Sequence, residues 1–229
     1  MSAKDQVVLD SLFRDIVKFY SSSQLSVVTL QAIIESINDL ECDEDMFTPQ
    51  LKEVCKIITD SKPRMFPIDN LIILFENELE KNDHFNEKDL PTKKSASIEI
   101  IKNLIDRLED NMSELANHGL EHIEDGDFIV LHAVEEPVEL LMPEAKKMGK
   151  EFEVLILRQD AAKTEQVINI MEKNGIKYTV IPEWDLIHFF DKVNKLFIGA
   201  YAITSDGKFV SDSGTSNIVS ECPIHELPI

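Results

Sequence analysis

The side chains most able to do chemistry are a few histidines, cysteines and acidic runs, and their spacing narrows what that chemistry could be. His132 closes the apolar block Ile129-Val130-Leu131, where an imidazole could carry a proton or contact a ligand near neutral pH. No paired group stands beside it in sequence, and a histidine ending a buried strand is more often a structural hydrogen-bond donor. His118 and His122 are four residues apart with Glu121 between them, the spacing of two metal ligands on one helix face. Gly119 and the approaching helix end favour a solvated terminus instead. The run Glu41, Asp43, Glu44, Asp45 has neither the loop spacing nor the turn glycine of a calcium site and reads as a solvated linker. Cys42, Cys55 and Cys222 are odd in number, far apart and in no Cys-x-x-Cys pair. That fits a reducing compartment and neither a disulfide framework nor a zinc site. Trp184, Phe189 and Phe190 form an aromatic group that could be a binding face or could fill a pocket. No metal and no cofactor are expected.

Two kinds of element must position these residues. Up to about Ile123 the apolar residues recur at helical spacing. Val7, Val8, Leu12, Ile16 and Phe19 make one stripe and Leu25, Val28, Ile33 and Ile37 a second. Leu51, Val54, Cys55 and Ile58 make a third, which Thr48-Pro49 should open and Ser61-Lys62-Pro63 should end. A further helix is expected from about Asp69 through Leu79, then a loop over residues 81–94 around Pro91. A long helix should follow, with Ile98, Ile101, Ile105, Leu108, Met112 and Leu115 on one face. At Glu124-Asp125-Gly126-Asp127 the period changes to short apolar blocks alternating with helical segments, a βαβ pattern. Strands are expected over residues 128–131, 152–157, 178–181 and 196–198, helices over 137–148 and 162–173, and a short aromatic helix over 184–190. The fold class expected is therefore α/β, an all-helical domain over residues 1–123 followed by a Rossmann-like parallel sheet over 124–229. Ligands of such a sheet sit off the carboxyl ends of its strands, so the residues just after each strand should decide function.

Composition excludes several classes of partner. The 229-residue chain has a net charge of −20, and both halves are acidic. Such a surface repels nucleic-acid phosphates and anionic lipid, whose binding relies on Lys and Arg displacing counterions. The 43% hydrophobic content is enough for a packed core. No apolar run approaches the roughly 20 residues of a membrane span, and Lys4, Asp5, Asp10, Arg14, Asp15 and Lys18 interrupt the region where a signal peptide carries its apolar block. A cytoplasmic protein with no nucleic acid and no membrane partner is expected.

The strand ends carry a resemblance. Asp125-Gly126-Asp127 leads into Ile129-Val130-Leu131-His132, and Gly149-Lys150-Glu151-Phe152 follows. Then come Asn174-Gly175-Ile176 before Thr179-Val180-Ile181, Lys192-Val193 before Phe197-Ile198-Gly199-Ala200, and Gly214-Thr215. In order and spacing the series resembles the family of translation initiation factor 2B α/β/δ regulatory subunits, which also contains ribose-1,5-bisphosphate isomerase and methylthioribose-1-phosphate isomerase. Ser61-Lys62-Pro63 and Pro67-Ile68-Asp69-Asn70 look similar to the helical half of the archaeal members. By family position the resemblance assigns His132, Arg158, Gly199, Tyr201, Asp212, Gly214 and Thr215 to a ligand site. It also implies, for the isomerases, a catalytic cysteine and a catalytic aspartate at the positions held here by Ala133 and Tyr201. Alanine has no proton to transfer, and a phenol of ordinary pKa near 10 is a poor substitute for a carboxylate base.

Other family segments are replaced as well. Glu135-Glu136-Pro137 stands where the family opens a helix with small or hydroxyl residues; two carboxylates there compete with an incoming phosphate, and Pro137 removes an N–H donor. Arg158-Gln159-Asp160-Ala161, Glu183-Trp184-Asp185 and Ser211-Asp212 replace the family's Glu-Ser-Arg-Pro-like, Asp-Ser-Ala and Asn-Lys segments, and Ser21-Ser22-Ser23-Gln24 replaces the isomerases' Arg-Gly-Ala. Relatives continue beyond Gly-Thr with another strand and a dimer-forming tail where this chain reaches Leu227-Pro228-Ile229, so an α/β domain short at its C-terminal side, its edge covered by another chain, is expected. The resemblance thus implies a non-catalytic regulatory or scaffolding protein acting through a protein partner or as a homodimer, with no small-molecule phosphate. The alternative is a sugar-phosphate isomerase, or a sugar-phosphate or nucleotide sensor, whose polar groups have been redeployed.

Overall fold

A computed structural model describes Ser11 and residues 20–62, 64–85 and 89–229. The stripe expected on Val7, Val8, Leu12, Ile16 and Phe19, and the terminating Pro63, lie outside the described residues. The chain divides into two compact units, one up to Asp110 and one from Asn111. The change of period at Gly126 falls inside the second unit, because the long helix expected before it runs past Asp110.

The first unit is helical, with α1 (Ser22–Asp39), α2 (Glu44–Thr59), α3 (Phe66–Lys81) and most of α4 (Leu90–Leu120). Ser21 opens α1 with a capping box: its hydroxyl accepts from Gln24 N–H while the Gln24 side chain accepts from Ser21 N–H, both at 3.2 Å. Ile33, Ile37, Phe47, Leu51, Phe75 and Ile101 fill the core. Two starts differ from expectation. Helix α2 begins at Glu44, so Glu44 and Asp45 are its first turn, favoured by the helix dipole, and are not a linker. Pro49 lies inside that helix and costs it one early backbone bond. Helix α4 begins at Leu90 and not beyond residue 94. Asp89 caps it, accepting from Thr92 N–H at 3.0 Å and from the Thr92 hydroxyl at 2.6 Å, and Pro91 takes the first turn, where a missing N–H costs nothing.

The second unit carries four parallel strands, β1 (Phe128–His132), β2 (Glu153–Arg158), β3 (Lys177–Pro182) and β4 (Lys195–Ile198), in the order β3-β2-β1-β4. Helices α5 (Glu136–Lys147) and α6 (Ala161–Lys173) make the crossovers, and a 3-10 helix (Glu183–His188) follows β3. After β4 come a two-stranded ribbon, β5 (Ala202–Ile203) with β6 (Phe209–Val210), and helix α7 (Thr215–Glu221). Buried parallel strands must be apolar on both faces, which is why they read as unbroken blocks. Ile129, Leu131, Val154 and Ile156 pack with Leu141, Met142, Val167 and Met171 on one face. Val130, Leu155 and Leu157 pack with Leu186, Phe190, Ile218 and Cys222 on the other. Buried Asp127 pins the start of β1 to that of β4, accepting from Asn194 Nδ2 at 2.9 Å, Lys195 Nζ at 2.7 Å and Glu124 N–H at 2.7 Å. The architecture is a helical part followed by a parallel α/β sheet. No described helix is long and apolar enough to cross a membrane.

Candidate functional site

Because the four strands are parallel, all their carboxyl ends share one edge, and the strand order reverses between β1 and β4. At that reversal Gly199 N–H donates to the His132 carbonyl at 3.3 Å. A Cβ on Gly199 would lie 2.9 Å from Glu135 N and nearer still to the Ala133 carbonyl oxygen. Only glycine lets the chain leaving β4 rest against the loop after β1. Ala133 takes a left-handed φ of 50° there, and its N–H donates to Gln159 Oε1 at 3.0 Å. The crevice is closed by backbone.

Behind this contact lies a buried polar cluster. His132 Nε2 is 2.8 Å from Thr215 Oγ1. Ser211 Oγ donates to the Gly199 carbonyl and Thr215 Oγ1 to the Asp212 carbonyl, each at 2.7 Å. Thr215 Oγ1 also lies 3.2 Å from Ser211 Oγ, and the tautomer of His132 decides whether Nε2 or Thr215 donates. His132 Nδ1 makes no hydrogen bond and faces Glu183 Oε1 at 3.5 Å. Burial lowers the imidazole pKa, with the charge of Asp212 opposing. Burial and Asp212 raise that of Glu183, with a hydrogen bond from Gln159 opposing. Gly214, at φ 93°, caps α7, and a Cβ there would come within 2.5 Å of Glu183 Oε2.

Towards solvent, Tyr201 Oη donates to Asp212 Oδ1 and accepts from Lys163 Nζ at 3.0 Å, while Lys163 Nζ lies 3.4 Å from Asp212 Oδ2. Burial, the hydrogen bond to Asp212, the Asp212 charge and the Glu135 charge together push the phenol well above its ordinary range. Tyr201 is a donor here and not a base. The three side chains tie α6, the segment after β4 and the loop before α7 together. At the start of α5, burial and the charges of Glu135 and Glu136 push the Glu139 carboxyl up, opposed by Lys163. The cavity beside Ala133, Gln159 and Lys163 has a volume of about 20 Å³, space for one water.

Of the residues assigned by family position, His132, Gly199, Tyr201, Asp212, Gly214 and Thr215 converge. Arg158 does not: it ends β2 exposed and takes no part in the cluster. Lys163 and Gln159 were missed. A lysine in the first turn of a helix, against the dipole preference, was the available signal for Lys163. The aromatic group separates. Trp184 is 75% exposed, Phe190 is buried and stacked on His225 with ring centres 3.9 Å apart, and Phe189 lies under Lys192. Trp184 and Phe190 line one open cleft beside the 3-10 helix, Phe189 does not, and none of the three rings lines the crevice cavity. His118 and His122 are both exposed, and no group of three or more His, Cys, Asp or Glu among the described residues is arranged to hold a metal. The cysteines are free, and burial followed by the Glu76 charge pushes the Cys55 thiol up to about 12, leaving it unreactive.

Comparison with known proteins gives the same architecture. Residues 18–229 match the model of the initiation factor 2 subunit family. Translation initiation factor eIF2B subunit delta of Dictyostelium discoideum is 24% identical over 217 residues, which is 92% of this chain and 35% of that protein. Ribose 1,5-bisphosphate isomerase of Thermococcus kodakarensis is 23% identical over 185 residues, 80% of this chain and 57% of the isomerase. The chain spans between about a fifth and two thirds of the length of the curated relatives it matches. Among solved structures, eIF2B delta from Chaetomium thermophilum superposes with a TM-score of 0.81 at 23% identity, covering 97% of this chain and 84% of that one. The tetrameric eIF2B-beta2-delta2 complex of C. thermophilum gives 0.77 at 22%, covering 97% and 73%.

Proposed function

The chain belongs to the initiation factor 2 subunit family, and from that premise we propose that it is a non-catalytic member, regulatory or scaffolding, that acts through protein contacts. The observation that carries this reading is the closed edge of the sheet. Where the order of strands reverses, backbone meets backbone at Gly199, and the adjoining cavity takes one water, against roughly 300–1,000 Å³ for small-molecule sites. At the two positions the resemblance gives to the isomerases' acid and base stand Ala133, with no proton to transfer, and Tyr201, whose proton is already engaged by Asp212. A general acid or base contributes about 10²–10⁴-fold, so losing both removes most of such a reaction's acceleration. The carboxylates of Glu135, Glu136 and Glu139 at the start of α5 oppose a phosphate there. One structural neighbour is a beta2-delta2 tetramer, which makes another subunit-like chain, or a second copy, the natural counterpart.

The test is to incubate the purified chain with ribose 1,5-bisphosphate, follow ribulose 1,5-bisphosphate formation, and record thermal stabilisation at millimolar substrate. Neither turnover nor saturable stabilisation is expected. Turnover abolished by Tyr201→Phe would overturn the non-catalytic reading, and stabilisation without turnover would replace it with a sugar-phosphate sensor.

A further inference from the structure

We propose that the open cleft between the 3-10 helix and α7 binds a basic, apolar segment of a partner protein, seating an arginine or lysine side chain against Glu183. The cleft has a volume of about 510 Å³. Trp184, Ile187, Phe190 and Ile218 supply its apolar wall, and both charged side chains that line it, Glu183 and Glu221, are carboxylates. Trp184 and Ile187 are 75% and 54% exposed, so a partner covering them removes two large apolar side chains from water. Complementarity therefore asks for positive charge beside apolar bulk. A second copy of this chain, at a net charge of −20, meets the cleft with the wrong sign.

Glu183 is the anchor because, among the described residues, no lysine or arginine pairs with it. Its Oε1 lies 3.5 Å from Nδ1 of fully buried His132, and that nitrogen makes no hydrogen bond to it. Asp212 adds a second negative charge nearby, and the lysine closest to Asp212 is already paired with it. Gln159 gives Glu183 a hydrogen bond but no charge. The Glu183 side chain keeps 28% of its surface exposed, so a guanidinium or ammonium group entering the cleft can reach it. Burial and Asp212 raise the proton affinity of Glu183, and a bound cation would lower it again. The inference rests on the protein-contact reading only in taking the cation to be carried by a protein.

Trp184 is the single tryptophan of the chain, so its emission reports occupancy of the cleft directly. The full chain is titrated with the peptide acetyl-Leu-Arg-Leu-Arg-Leu-amide and with the same peptide carrying glutamine for arginine. A saturable blue shift is expected with the arginine peptide, with affinity about tenfold weaker for the glutamine peptide and about tenfold weaker for the Glu183→Gln protein. The Glu44→Gln protein, altered on the helical unit, should bind as the parent does. Absence of a saturable shift at millimolar peptide overturns the proposal, as does equal binding of the two peptides or equal binding by Glu183→Gln. A Trp184 shift that appears without peptide as protein concentration rises, together with a dimer in sedimentation, also overturns it by identifying the occupant as a second copy. Failure here with no isomerase turnover leaves the protein-contact reading standing, whereas turnover removes that reading whatever the peptide does.

Discussion

Replacing Gly199 by alanine tests whether the edge of the sheet is closed by a rigid contact. The added Cβ would lie 2.9 Å from Glu135 N and closer to the Ala133 carbonyl, when real Cβ contacts keep at least 3.0 Å. Those two neighbours are backbone and cannot swing aside as a side chain would; the third, Glu135 Cγ at 2.8 Å, could move, but that would leave both backbone clashes in place. Ala133 is buried and held by Gln159, which resists a shift of the loop after β1. Overpacking a core costs roughly 1–3 kcal/mol, and the two backbone clashes put this site at the upper end. Separation would also weaken the Gly199 to His132 backbone bond, worth about 1 kcal/mol. A loss of about 3–4 kcal/mol corresponds to a fall of roughly 10–15 °C in the melting midpoint of a unit this size. Trp184 emission follows the α/β unit alone, so the transition can be read without interference from the helical unit. Gly149→Ala is the control: Gly149 has a φ of 83° with nothing within 4 Å, so only the left-handed backbone penalty of about 1–2 kcal/mol applies. A Gly199→Ala midpoint within about 2 °C of the parent, or no lower than that of Gly149→Ala, would show that the two loops part freely and would remove the main support for a closed edge.

Two further outcomes follow from the same contacts. Asp127 is desolvated, but its hydrogen bonds from Lys195, Glu124 N–H and Asn194 and the Lys195 charge outweigh burial and hold its carboxyl below the ordinary value of 3.8. A depressed acid stabilises the fold above its unfolded pKa and loses that contribution as pH falls through the folded one. The difference in unfolding free energy between parent and Asp127→Asn, about 2 kcal/mol at neutral pH, should hold down to about pH 5 and shrink below 3.8. A difference flat across acid titration by urea unfolding would contradict this. Asp160 caps α6 through bonds from Ala162 N–H at 2.9 Å and Lys163 N–H at 3.3 Å, so Asp160→Ala should cost about 1 kcal/mol and Asp160→Ser should recover most of it in thermal melts.

The two central strands, β1 and β2, are legible because burial on both faces leaves no polar alternation to interpret. Ile129-Val130-Leu131 and Val154 to Leu157 are unbroken blocks bounded by turn residues, and their observed limits lie within a residue or two of the expected ones. Helix starts are harder to read, because a proline can open a helix or lie inside it. Pro91 does belong to a first turn, but Pro49 follows a start already set by Asp43, Glu44 and Asp45. The ribbon of β5 and β6 has two residues per strand, too few for any period. Strand ends show which residues reach the edge and not which way a long side chain leaves it: Arg158, assigned to a ligand site by family position, ends β2 exposed and apart from the buried cluster. Lys163 meets Tyr201 and Asp212 across 38 and 49 residues, a coincidence only the fold produces.

The distribution of satisfied and unsatisfied groups supports the proposed non-catalytic reading of this edge. A catalytic centre keeps charged groups available to substrate. Here Lys163, Tyr201 and Asp212 are engaged with one another, and Ser211 and Thr215 hydrogen-bond backbone carbonyls. Those bonds join segments from β1 to α7 and give the polar residues a structural reason to persist without catalysis. Among the described residues, the buried side-chain atom left without a hydrogen bond is His132 Nδ1, and it faces Glu183, which in turn lines the open cleft and not the closed crevice. The electrostatic deficit therefore lies where apolar surface is also exposed. A partner offering both cation and hydrocarbon at that cleft would meet the carboxylate and the exposed apolar side chains together, with Gly214, one of the residues assigned by family position, lining the same cleft.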